Sequence, residues 1–245
     1  MLLTLKDCDN SGTVTCKALS NSASGDSRQK VYIGGLAGSL MGQQNAPVVI
    51  DNCTSVGRII PYDITSGAPY NDATASTRCG YCQVIGGISG WSGYISVKNG
   101  TTVNCVLGTP DANRQVTALA GAFGFAVRPF SLENSSLFFR GYFNRLAGYK
   151  MNRAVVAVVP VTYSEAAMEI DPDISGSTIT DCRLGGLLYT NTGTFPDSVT
   201  TALECPLAVF NSESKTRDNL VCGQGYTSVS TDVTVSGYTY WNGTN

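Results

Sequence analysis

Residues 31–40 read VYIGGLAGSL, three glycines set among bulky apolar residues with no charge between them. Three readings compete: a phosphate-cradling loop, a membrane-prone segment, or a strand whose neighbours press too close for side chains. A phosphate loop needs Lys-Ser or Lys-Thr after its last glycine and a helix opening there. Neither follows Gly38. A membrane helix needs about 20 apolar residues, and no segment of the chain supplies them. The strand reading remains, and repetition favours it. Ile33–Gly38 returns as Ile85–Gly90, and in loosened form as Leu119–Gly124.

A second phrase alternates with the first. LKDCDNSGTV begins at Leu5, IDNCTSVGRI at Ile50, TVNCVLGTP at Thr102, LENSSLFFRG at Leu132 and ITDCRLGGLL at Ile179. Each holds an apolar residue, a spacer, Asp or Asn, then a small residue that is usually Cys. The small position recurs after 45, 52, 30 and 47 residues. Unequal periods point to a constant coil with loops of differing length inserted at one place. Two coils of roughly 20–25 residues per unit would fit, within the size range of stacked repeats. The expected fold is therefore all-β: a right-handed parallel β-helix, a solenoid with inserted loops and a C-terminal β cap. Residues 1–190 would form the repeat domain. Residues 191–245 would form either a capping segment or a continuation of it.

Stacking explains the recurring residue types. Equivalent positions in successive coils lie about 4.8 Å apart, close enough for amide side chains to hydrogen-bond along the axis. Asp7, Asn52, Asn104, Asn134 and Asp181 are expected to form that ladder. Cys8, Cys53, Cys105, Ser135 and Cys182 would point inward beside it, where a small, weakly polar side chain fits. The glycine that follows, as at Gly12, Gly57 and Gly186, would turn the chain with φ > 0.

Composition narrows the function. Charged residues are 14 % of the 245, the net charge is −2 and no basic run occurs. Nucleic-acid binding by phosphate neutralisation is not expected. Histidine is absent, so Ser-His-Asp and Cys-His pairs and His-containing zinc sites are excluded. The nine cysteines include one CxxC, Cys79 to Cys82, with no second to complete a zinc ribbon. No metal and no cofactor is expected. The first ten residues lack the basic start and long apolar run of a signal peptide, so the sequence reads as a piece of a longer protein or one whose export signal has been removed.

The inserts are polar and turn-rich; the longest runs from Pro61 to Cys82. Tyr62, Tyr70, Tyr81 and Trp91, with Asp63, Asn71 and Asp72, are the candidate ligand-binding residues. Aromatic faces would stack on sugar rings while the polar groups bond hydroxyls. The alternative is that these aromatics pack the loop against the coil. Residues 154–163, AVVAVVPVTY, suit a strand that replaces a Gly-Gly phrase, and residues 227–240 suit a strand pair covering the open end of the stack.

The Asn-Cys-x-x-x-Gly phrase followed by Ile-Gly-Gly-Leu-Ala-Gly resembles the GLUG-type repeats of adhesin-like surface proteins from Bacteroides-like gut bacteria. The resemblance covers mainly Leu5 to Gly124, with an echo at Ile179 to Leu188. It implies a β-helix, a cell-surface or extracellular location and cell adhesion, and it implies no catalytic residue. The expected role is a non-enzymatic surface module binding a host-surface or polysaccharide ligand. The alternatives are a β-helical polysaccharide lyase or glycoside hydrolase and a structural spacer. An enzyme would need paired carboxylates; Asp171 with Asp173, near Glu165 and Glu169, and Asp63 with Asp72 are the pairs available, and a lyase would add Arg78 or Lys150. Asp-Pro turns and solvated loop carboxylates explain the same residues.

Overall fold

The computed structural model describes residues 2–15, 31–60, 83–108, 118–143, 151–153, 155–158, 173–190, 199–202 and 233–241. Among these the structure is all-β, with sheets that are almost entirely parallel. The candidate residues Tyr62, Asp63, Tyr70, Asn71, Asp72 and Tyr81 lie outside the described residues, as do Asp171, Glu165, Glu169, Arg78 and Lys150.

Four sheets are visited in a fixed order. The first holds β1 (Thr4–Lys6), β6 (Val48–Asp51), β11 (Ile95–Lys98), β15 (Phe130–Glu133), β19 (Ser177–Thr180) and β22 (Val233–Val235), each parallel to the next. The second holds β2 (Asp9–Asn10), β3 (Thr13–Thr15), β7 (Thr54–Ser55), β8 (Arg58–Ile60), β12 (Thr102–Leu107), β16 (Ser136–Phe143), β20 (Cys182–Thr190) and β23 (Tyr238–Tyr240). One strand, β21 (Val199–Ala202), joins it antiparallel to β20. The third is β4 (Val31–Gly34), β9 (Gln83–Gly86), β13 (Ala118–Ala120) and β17 (Met151–Arg153). The fourth is β5 (Ala37–Met41), β10 (Ser89–Gly93), β14 (Phe123–Ala126) and β18 (Val156–Val158). Each circuit through the four returns to the first sheet beside the previous one, an order compatible with a β-helix.

This order corrects the expected unit. The Asn-Cys and Gly-Gly phrases belong to one circuit, not to two coils of 20–25 residues. Ile33 pairs with Ile85 and Leu5 with Ile50, so each phrase stacks on its own kind in a separate sheet. The AVVAVV stretch supplies β18, which pairs Val156 with Phe123, continuing the Gly-Gly column. The strands within 227–240 do not pair with each other. β22 and β23 instead extend the first and second sheets by one more parallel strand each.

The core is made of like residues in file. Leu5, Ile50, Val97, Leu132, Ile179 and Val235 occupy one register column of the first sheet, and the middle four are fully buried. Strand alternation sends Val48 and Ile50 inward while Val49 and Asp51 face out, as a half-buried strand requires.

The Gly-Gly phrase is a close-approach site. A Cβ on Gly35 would strike Ser55 and the Gly87 carbonyl, and one on Gly87 would strike the Gly121 carbonyl and come within 2.5 Å of Val103. Backbone of the next circuit and side chains of the opposite sheet leave no room for more than hydrogen.

Candidate functional site

The corner between the first and second sheets repeats one conformation. Asp7 (φ 53°), Asn52 (52°), Asn99 (56°), Asn134 (46°) and Asp181 (50°) all turn the chain left-handed, and Gly237 (148°) ends the column. Asn and Asp tolerate this region far better than other L-residues because their short side chains bond locally. Left-handed geometry thus falls on Asn and Asp, not on Gly12 or Gly57. A Cβ on Gly57 would meet the Gly12 carbonyl, so that glycine serves close stacking. The amide ladder is partial: Asn52 Nδ2 donates to Asp7 Oδ1 at 2.7 Å, whereas Asn99 Nδ2 donates to Asp51 Oδ1 at 2.8 Å.

Two expected members are corrected. Asn104 and Cys105 lie on β12, paired with Phe138 and Phe139, not at the corner. The third circuit carries one extra corner residue, Gly100, so Asn99 and Thr101 take the places assigned to Asn104 and Cys105. The register shows it: Lys98 faces Asp51 but Thr102 faces Thr54. An Asn-Gly pair 47 residues after Asn52 was the available signal; the Asn-Cys dipeptide five residues later resembled the other copies more closely.

The small inward column is Cys8, Cys53, Thr101, Ser135 and Cys182. Each donates its thiol or hydroxyl to a carbonyl just upstream: Cys8 to Lys6 at 3.5 Å, Cys53 to Asp51 at 3.5 Å, Thr101 to Lys98 at 2.9 Å, Ser135 to Glu133 at 2.9 Å and Cys182 to Thr180 at 3.3 Å. A short side chain with one donor satisfies the corner carbonyl without leaving the core. Burial pushes the Cys53 and Cys182 thiols up from their ordinary pKa. It pushes Cys105, packed against the Ser55 hydroxyl at 3.2 Å, up to about 11. These cysteines are unsuited to act as nucleophiles, since the thiolate is the reactive form. Cys8 differs in being exposed.

Trp91 does not face solvent. It is 6 % exposed and packs edge-on against Tyr32 at 5.0 Å and beside Phe125 at 5.9 Å. It belongs to β10 and packs among strands of the third and fourth sheets, not in a loop.

A concave feature among the described residues lies at the passage from the fourth sheet back to the first. There the connections differ in length. The first circuit uses six residues, 42–47, and the third uses three, 127–129. The second uses Tyr94 alone. A one-residue corner between longer neighbours leaves a groove of about 720 Å³, within the range of ligand pockets. Gln44 and Pro47 line one side, Arg128 and Pro129 the other. Ser96 and Ser131, outward-facing on the first sheet, and Asp173, Ser175 and Gly176 complete it. The backbone here is tied across circuits. Gly42 N donates to Gly93 O at 2.9 Å, Val48 N to Tyr94 O at 2.9 Å and Asp173 N to Val127 O at 3.1 Å. The Asp173 carboxylate accepts from Ser175 N at 2.8 Å, and Arg128 Nη1 donates to Val127 O at 2.9 Å.

No protein family, curated protein or solved structure matched this chain.

Proposed function

We propose that the chain is a right-handed parallel β-helix serving as a non-enzymatic bacterial cell-surface module, binding a host-surface or polysaccharide ligand in cell adhesion. Strand-to-parallel-strand crossovers are right-handed almost without exception, which supports the handedness. One observation carries the functional reading. In four successive circuits the passage from the second sheet to the third holds an insert: residues 16–30, 61–82, 109–117 and 144–150. Connections of seven or more residues recur at that passage in every one of these circuits, and loops repeated on one side of a stacked scaffold are how solenoids build a binding side. The resemblance to GLUG-type repeats supports the surface location. The absence of histidine and the turn-forming bond of Asp173 support a role without catalysis. The test is a glycan array followed by product analysis with the purified chain. Binding without cleavage is expected. Bond cleavage would make the chain an enzyme, and binding to nothing would make it a spacer.

A further inference from the structure

The geometry points to the groove at Tyr94 as a binding site for a neutral saccharide chain. The assignment rests on the polysaccharide reading above and gives it a place on a different edge from the inserts.

Tyr94 carries the argument. Its φ is 50°, a conformation that is a true outlier for a bulky residue. Among the described residues five other corners adopt a similar φ, and all five use Asn or Asp. A Tyr at such a corner costs stability, and strain of this kind persists where a side chain serves function. Tyr94 is half-buried and is one of the residues that line the groove. An aromatic face in an open polar channel suits the apolar face of a sugar ring, as amphipathic rings do wherever one side is wet.

The rest of the lining decides the class of ligand. Among the described residues, one cation, Arg128, and one anion, Asp173, line the groove, so the described lining carries no net charge and favours neither an acidic nor a basic polymer. Gln44, Ser96, Ser131 and Ser175 offer amide and hydroxyl groups, which can both donate and accept, as sugar hydroxyls do. The lining comes from four successive circuits, about 14 Å at the strand spacing, so a chain of sugars fits the groove better than a single ring.

The test uses the full chain, affinity electrophoresis and calorimetry against soluble neutral polysaccharides (a β-glucan, a xylan, a galactomannan), with polygalacturonate as the acidic control. Tyr94→Asn is the decisive variant, because it suits the left-handed corner. It should melt at the same or a higher temperature than the parent while binding weakens at least tenfold. Tyr94→Phe should keep binding within about threefold. Parent binding that survives Tyr94→Asn would overturn the groove and leave the module reading intact. Binding confined to the acidic polymer would overturn the neutral class. Parent binding to no glycan on the array would sink both. A lower melting temperature for Tyr94→Asn would show that Tyr94 is retained for packing.

Discussion

Asn52 Nδ2 donates to Asp7 Oδ1 across 45 residues of sequence, and both residues hold nearly the same left-handed φ, 52° and 53°. One side chain therefore does two things. It makes a sharp corner affordable, and it ties that corner to the circuit beneath. The pair shows why Asp and Asn recur at this place more strictly than the residues around them.

Backbone conformation should dominate at these corners. Asn134→Gly is expected to change stability by less than about 1 kcal/mol, since glycine reaches positive φ freely. Asn134→Val should cost roughly 2 kcal/mol or more, because a β-branched residue resists that region. Urea unfolding of the two variants checks the order. Equal losses would show that the side-chain bond, not φ, matters.

The inward column should accept a hydroxyl in place of a thiol. Ser135 and Thr101 already make the bond that Cys53 makes to Asp51 O. Cys53→Ser is therefore expected to stay within about 1 kcal/mol of the parent. Cys53→Leu should lose about 1–3 kcal/mol from overpacking a fully buried site. Thermal unfolding of both variants measures the difference.

Cys105 links stability to alkaline pH. Its folded pKa is raised from 9.0 to about 11 by burial, so the unfolded thiol ionises first. The contribution is fully present below pH 9 and is lost as pH rises toward 11, up to about 3 kcal/mol at 1.36 kcal/mol per pKa unit. Cys105→Ala should flatten that limb of the stability profile while lowering stability at pH 7. Native alkylation read by peptide mass spectrometry should label Cys8 well before Cys53, Cys105 or Cys182.

The Gly-Gly corner should tolerate no side chain. Gly87→Ala sets a methyl against the Gly121 carbonyl and Val103, and backbone cannot rotate away. A loss of about 3 kcal/mol or more is expected. Val103→Ala in the same chain should not restore it, because the carbonyl clash remains. Full rescue would show that the side chain alone closes the site.

The charged face offers a milder check. Lys6, Asp51, Lys98 and Glu133 follow one another across the first sheet with alternating sign. Lys98→Glu would set three carboxylates in a row and is expected to cost roughly 1 kcal/mol. Added salt should recover most of that loss, since exposed charges are screened.

The candidate site was far less legible than the fold. Trp91 and the long insert drew attention because exposed aromatics beside acids suggest sugar binding, yet Trp91 packs with Tyr32 and Phe125. Tyr94, three residues on, carried no local signal. Its significance comes from a corner of one residue lying between corners of six and three, a comparison that exists only once the circuits are aligned.

What the sequence by itself determined is the set of residues that recur and the strand character of both phrases. Those follow from local demands: Asn or Asp where φ is positive, a small donor beside it, glycine where backbones touch. The tertiary structure alone decided that both phrases share one circuit, that Asn99 and not Asn104 turns the third corner, and where the groove opens. Register between distant strands settles these. A single inserted residue such as Gly100 is absorbed at a corner and leaves the strands on either side in step, so the spacing of motifs along the chain does not reveal it.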